Sequence, residues 1–157
     1  MRVGLGVDAH ELVEGRPLVL GGVELDSPQG LAGHSDGDVI AHALVDAILG
    51  AAALGDIGGL FPSGAAEWEG ASSLDLLARA YAHVREAGWR LVNADCVLVG
   101  EEPRIAPVRD EMRARLAEAL AVEPDLVNVR ATTTDSLGFT GRGEGLAALA
   151  VALLERG

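Results

Sequence analysis

Arg2-Val3-Gly4-Leu5-Gly6-Val7-Asp8-Ala9-His10 opens the chain, and the stretch up to Val7 reads as a β-strand whose end carries Asp8 and His10. Alternation with period two sends those two side chains to the same face. The second decisive stretch begins at Gly37. From there Val39, Ile40, Leu44, Val45, Ile48 and Leu49 recur at helical spacing, with Asp36 as the expected N-cap and Gly50 near the expected end. A strand followed by an apolar helix sets the expectation of an α/β chain.

Working outward, Leu18 to Leu25 reads as a hairpin that turns at Gly21-Gly22. Residues 54–71 hold six glycines and prolines, Gly55, Gly58, Gly59, Pro62, Gly64 and Gly70, and read as one long functional loop. Ser72 and Asp75 have the spacing of a capping box that opens a helix to about Ala87. A strand is expected from Leu91 to Val99, an Arg/Glu-laced helix from Val108 to Ala121 with Met112, Leu116 and Leu120 inward, and a strand from Val127 to Thr132. Residues 138–145 read as a glycine-rich loop. Residues 145–154 are ambiguous, because Ala and Leu favour a helix while length and position allow a buried strand.

At 157 residues the chain is the length of one domain, 1–157, with no internal repeat or linker. Its formal net charge of −12 argues against nucleic acid and against anionic membrane surfaces, and an anionic substrate would need cations to offset that field. No apolar run is long enough to span a bilayer, and Met1 leads straight into a strand, so the chain reads as cytoplasmic or as a mature form. All 12 basic residues are Arg, which excludes a Schiff-base lysine, a Walker phosphate loop and a Ser-Lys dyad. The lone Cys96 reads as a small buried hydrophobe.

Three segments carry candidate chemistry. Asp8, His10 and His42 form a two-imidazole, one-carboxylate set of the kind that holds a catalytic zinc with a position open. Asp38 and Asp46 flank His42 at helical spacing and stand ready to orient its ring. The alternative is a set of solvated polar positions. Thr132-Thr133-Thr134-Asp135, with Gly138-Phe139-Thr140-Gly141-Arg142-Gly143-Glu144, combines hydroxyls, exposed amides and a guanidinium suited to phosphate oxygens, or else simply serves β propensity. Gly100-Glu101-Glu102-Pro103-Arg104-Ile105-Ala106 follows a strand and offers rigid backbone to the polar edge of a flat ring. His83, between Arg79 and Arg85, reads as a solvated helix face.

Gly6-x-Asp8-x-His10, the run from His34 to Gly58, and Ala131 to Gly145 together resemble the 2-C-methyl-D-erythritol 2,4-cyclodiphosphate synthase family of the non-mevalonate isoprenoid pathway. The resemblance spans nearly the whole chain. It implies a two-layer α/β subunit with a mixed β-sheet packed on helices, assembled as a homotrimer around a three-fold axis with sites at the subunit junctions. It also implies a CMP-releasing phosphorus–oxygen lyase. The substrate's own 2-phosphate would attack its β-phosphate, so that no protein nucleophile is needed.

The family pattern implies zinc at Asp8, His10 and His42, transition-state stabilisation by His34 and Thr133, and Mg²⁺ or Mn²⁺ with the diphosphate at Asp135. The methylerythritol and phosphates fall to Asp8, Ala9, His10, His34, Ser35, Asp56, Ile57, Gly58 and Phe61-Pro62-Ser63-Gly64-Ala65. The cytidine falls to Gly100 through Ala106 and to Ala131, Thr132 and Thr133, beside Thr134. Phe139 and Arg142 would line a central cavity associated with isoprenoid diphosphates. The resemblance makes the C-terminal segment a strand. Two positions depart from the pattern: Asp135 stands where the family has Glu, and Arg104 where it has Lys. Two other readings stay open, a zinc phosphohydrolase that uses activated water and a non-catalytic trimer that binds isoprenoid diphosphates.

Overall fold

The computed structural model describes residues 1–157. The opening strand runs well past Val7: β1 spans Arg2–Glu14, so Asp8 and His10 lie within it. The hairpin forms as expected, β2 (Leu18–Leu20) pairing with β3 (Val23–Leu25). Gly21 and Gly22 both take positive φ, 57° and 76°, the backbone that a two-residue primed turn requires. A short edge strand, β4 (Gln29–Leu31), was not anticipated and pairs with the far end of β1.

Helix α1 spans Val39–Ala52 and is capped by Asp38, not Asp36. Asp38 Oδ1 accepts from Ala41 N at 3.1 Å, while Asp36 turns toward Ser73. The helix also ends later than Gly50, with Ala53 in the left-handed conformation at φ 60°. Twelve of its fourteen residues are buried, which marks it as a central helix rather than an amphipathic cover.

Residues 54–71 are more ordered than a loop reading implies. They contain α2 (Ile57–Leu60), capped by Asp56, and a single tight turn at Ala66–Trp68. Helix α3 spans Ser73–Glu86, but Ser72 makes no side-chain cap; Asp36 takes the Ser73 amide instead, so the capping box does not form. Strand β5 (Trp89–Val99), α4 (Arg109–Leu120) and β6 (Val127–Thr132) follow the expected pattern, with Met112, Leu116 and Leu120 buried. The glycine-rich segment winds into a four-residue helix, α5 (Gly138–Gly141).

The ambiguous C-terminal segment is a strand, β7 (Gly145–Arg156). It runs between β1 and β5, antiparallel to both, in a five-stranded sheet of order β4-β1-β7-β5-β6 in which only β5 and β6 are parallel. Hydrogen-bonding partners on both edges override the helical leaning of Ala and Leu. The 38-residue core lies between the sheet and α1, α3 and α4. Cys96 is fully buried there, and burial pushes its thiol up to about 12. No helix is long and apolar enough to cross a membrane.

The two faces of β1 are inverted from the usual pattern. Gly4 and Gly6 face α1, while Val3, Leu5 and Val7 stand 57–68% exposed on the other side. A Cβ on Gly4 would lie 2.0 Å from the Ala47 carbonyl, and one on Gly6 1.8 Å from the Ala43 carbonyl, so glycine is what lets helix and strand touch. On the open face Leu5 pairs with Val151 and Val7 with Leu149, which extends the apolar surface across two strands.

Candidate metal and phosphate site

The close approach of β1 and α1 builds the centre of the site. Past Gly6, the strand's helix-facing side presents Asp8 and then His10, while the first turn of α1 presents His42. His10 Nε2 lies 2.8 Å from Asp8 Oδ2, His42 Nδ1 lies 3.0 Å from the same oxygen, and the two ring nitrogens are 3.3 Å apart. One ligand atom from each residue falls within 4.8 Å of the others. Burial by itself would raise the Asp8 pKa, but hydrogen bonds and charge from His10 and His42 outweigh it and hold the carboxyl at about 2. The Asp8 carboxylate raises His10 in turn, against burial and the Arg16 charge.

Two imidazole nitrogens crowded onto one carboxylate oxygen form an electron-rich focus. Two imidazoles and one carboxylate at this spacing fit a borderline divalent cation such as zinc.

Behind His42 the partners differ from those expected. Its Nε2 is 2.8 Å from Ser73 Oγ and 3.0 Å from Ser35 Oγ. Asp38 does not reach the ring: its two oxygens accept from Gly21, Gly22 and Ala41 amides. Asp46 accepts from Ile57 N at 2.7 Å, which ties α1 to α2. Burial raises the Asp46 pKa against that bond.

The triad opens into a cavity of about 200 Å³ shared with His34, Ser35, Ile57, Gly58, Phe61 and Ser63. His34 Nε2 donates to the Ala65 carbonyl at 3.0 Å, and the carboxylate of Asp56, which precedes Ile57 in the chain, accepts from Gly59 N. Pro62 and Gly64 lie exposed in the same turn. Trp68 and Leu76 also line the cavity and were missed in the sequence. Trp68 stacks edge-on against Phe61 at 5.0 Å with Arg79 over its ring at 5.2 Å. Its one sequence signal was a lone indole inside a glycine-rich stretch.

The remaining candidates gather elsewhere. Thr133 donates its hydroxyl to Glu101, which also accepts from Ser136 N at 3.1 Å. Asp135 and Ser136 follow in left-handed backbone at φ 51° and 69°. Glu101, Glu102, Pro103 and Arg142 line a separate cavity of about 490 Å³. Arg104, Ala106, Ala131, Thr132 and Asp135 are exposed, and Gly100 donates to the Thr132 carbonyl. Ile105 departs from the expectation: it is 2% exposed and belongs to the core. Thr134 donates to the Leu137 carbonyl. Phe139 is 43% exposed beside Ala9 and His10, and Arg142 pairs with Glu144 at 2.6 Å. Strands β7 and β5 separate β1 from β6, roughly 14 Å at ordinary strand spacing, so one chain does not bring Thr133 to His34.

Comparison with known proteins places nearly the whole chain in one family. The YgbB family matches residues 1–155. The 2-C-methyl-D-erythritol 2,4-cyclodiphosphate synthase of Moorella thermoacetica is 58% identical over 154 residues, covering 98% of this chain and 94% of that protein. Among solved structures, the bifunctional IspDF from Campylobacter jejuni superposes with a TM-score of 0.96 at 45% identity, covering 99% of this chain and 42% of that one. A 2C-methyl-D-erythritol-2,4-cyclodiphosphate synthase in its CDP-bound form superposes at 0.89 with 38% identity, covering 98% of this chain and 100% of that one.

Proposed function

The chain belongs to the YgbB family, and we propose that it is a 2-C-methyl-D-erythritol 2,4-cyclodiphosphate synthase of the non-mevalonate isoprenoid pathway. The substrate is 4-diphosphocytidyl-2-C-methyl-D-erythritol 2-phosphate, and the products are the cyclic diphosphate and CMP. An oxygen of the 2-phosphate bonds to the β-phosphorus, and the bond from that phosphorus to the bridging oxygen breaks, its electron pair leaving with CMP. The reaction class is a phosphorus–oxygen lyase acting in the cytoplasm. The observation that carries this reading is the convergence of Asp8, His10 and His42 in a chain that matches the synthases along its length.

Asp8, His10 and His42 are the residues that would hold zinc, which supplies Lewis acidity to a phosphoryl oxygen when bound. His34 faces the same cavity, and its Nε2–H exchanges the Ala65 carbonyl for a phosphoryl oxygen as charge redistributes. Residues 56–65 fold over the reacting groups and exclude water, which favours the internal phosphate over hydrolysis.

Thr133, Asp135 and the Gly100–Ala106 loop serve the nucleotide half of the substrate, Asp135 toward a magnesium or manganese ion on the diphosphate. Their separation from the triad within one chain supports a homotrimer in which a neighbouring copy supplies that half, and the apolar face of β1 and β7 is the surface available for assembly. Residues 1–157 act as one domain around a single core. The comparisons favour neither the phosphohydrolase nor the non-catalytic reading.

The test is product identity. Purified protein with Zn²⁺ and Mg²⁺ converts the cytidylyl substrate to CMP and a cyclic diphosphate in ³¹P NMR. A linear phosphate product would establish hydrolysis instead, and nucleotide binding without turnover would establish a binding protein.

A further inference from the structure

We propose that Ser73, held by Asp36, is a positioning residue that fixes the ring of His42 with its proton on Nε2 and its lone pair on Nδ1. The proposal rests on the reading of Asp8, His10 and His42 as metal ligands and adds the groups that aim one of them.

The argument is a count of protons. Asp36, as a carboxylate, only accepts. It takes the Ser73 amide at 3.0 Å, the Asp38 amide at 3.1 Å and the Ser73 hydroxyl. A serine hydroxyl has one proton to give, and here Asp36 takes it. What Ser73 Oγ turns toward His42 Nε2, 2.8 Å away, is therefore a lone pair, and Nε2 must be the donor. Ser35 Oγ, 3.0 Å from the same nitrogen, provides a second acceptor, itself receiving Gly37 N and lying 3.4 Å from Ser73 Oγ. With Nε2 protonated and the ring neutral, as a metal ligand must be, the opposite nitrogen, Nδ1, presents its lone pair to a cation held between it, Asp8 and His10.

The Ser73 hydroxyl is not needed to start α3. The backbone amide of Ser73 meets Asp36 without it, and the N-cap residue is Ser72. Ser73 is fully buried, so no solvent replaces the hydroxyl once it is removed. Its placement at the entry of α3 also couples that helix to the ring on α1.

The test uses the full chain loaded with Zn²⁺, measuring affinity by competition with a chromophoric chelator and solvent exchange of the His42 Nε2–H proton by NMR. Ser73→Ala weakens Zn²⁺ binding about 10- to 100-fold and speeds exchange of that proton. Ser73→Thr, which retains the hydroxyl, returns affinity to within a few fold of wild type. Asp36→Asn weakens binding in the same direction, and it carries the test alone if Ser73→Ala fails to fold. Wild-type affinity and exchange in a folded Ser73→Ala chain overturn the proposal, as does Ser73→Thr binding no better than Ser73→Ala. If instead the wild type takes up no Zn²⁺, or His42→Ala binds it as tightly as wild type, the metal-site reading itself fails.

Discussion

His10 Nε2 lies 3.3 Å from His42 Nδ1, although 32 residues separate them in the chain. At that distance both nitrogens cannot carry hydrogens comfortably, nor can both present lone pairs with nothing between them. One of the two nitrogens therefore carries a proton in the metal-free chain, and a divalent cation would take its place, accepting both lone pairs while Asp8 offsets its charge.

Zinc should therefore stabilise the fold as well as the site. Saturating Zn²⁺ raises the Tm, by an amount corresponding to about 2.7 kcal/mol when free metal stands at a hundred times Kd. His42→Ala removes most of this gain. Calorimetry with and without chelator measures it, and an unchanged Tm in the wild type refutes it.

The pKa shifts define how the metal-free protein responds to pH. Asp8 is depressed from 3.8 to about 2, so its contribution, about 2 kcal/mol, is present above pH 4 and is lost as pH falls through 2. His10 is raised, so its contribution is present below 6.5 and is lost as pH rises through its folded value. The pair therefore stabilises most between about pH 4 and 6.5. Zinc binding follows the opposite course above that range, because the proton on His10 must leave first. Zn²⁺ affinity rises with pH through the His10 titration, and a competition titration at several pH values reads the slope.

The convergence of Asp8, His10 and His42 was legible because they sit on a strand and a helix that the pattern predicts, although the same pattern left solvated polar positions as an alternative. Asp8 and His10 alternate on a strand, and His42 falls among Ile40, Ala41, Ala43 and Leu44 on a helix. The groups behind His42 were not legible. Asp36 and Asp38 compete for the same cap, and local propensity does not distinguish them; the choice turns on Gly21 and Gly22, whose amides claim Asp38, and on Ser73, 37 residues from Asp36. Strand β7 was obscured for a related reason. Its Ala and Leu carry helical propensity, and only its two neighbouring strands, 150 residues away for the β1 pair of Val3 with Leu153, decide otherwise.

Gly6→Ala tests the contact that brings β1 to α1. The added Cβ would meet the Ala43 carbonyl at 1.8 Å, a backbone atom that a side-chain rotation cannot move. The helix must back away. We expect a loss of about 3 kcal/mol or more in urea unfolding, together with weakened Zn²⁺ binding as His42 leaves Asp8. Gly50→Ala, where the new Cβ meets nothing within 4 Å, is the control and leaves stability unchanged or slightly higher.

Asp38→Asn tests the tie between the hairpin and the start of α1. The carboxylate receives three amides, from Gly21, Gly22 and Ala41, and is fully buried. An amide side chain keeps one acceptor and points its NH₂ at a donor. The expected loss is about 1–3 kcal/mol in denaturant unfolding, with faster hydrogen exchange at Gly21 and Gly22. Because the Asp38 carboxylate does not reach the His42 ring, Zn²⁺ affinity falls far less than in Ser73→Ala. An equal fall would mean that the hairpin, rather than Ser73, positions the ring.

Leu5→Glu tests the open face of the sheet. Leu5 is 62% exposed and pairs with Val151 in the middle of an apolar surface that runs from Val3 and Leu153 to Val7 and Leu149. Within one chain, a charge there costs little, since the side chain already meets solvent and α1 lies on the opposite face. In an assembly that covers this face, the same charge is buried without a partner and disfavours association by several kcal/mol. Sedimentation should show wild type as a trimer and Leu5→Glu as smaller species with near-native circular dichroism. Zn²⁺ binding persists, because Asp8, His10 and His42 all come from one chain. Cyclisation falls steeply, because the half of the site around Thr133 and Glu101 is then missing from the triad's cavity. A monomeric variant with full turnover would show that each chain carries a complete site.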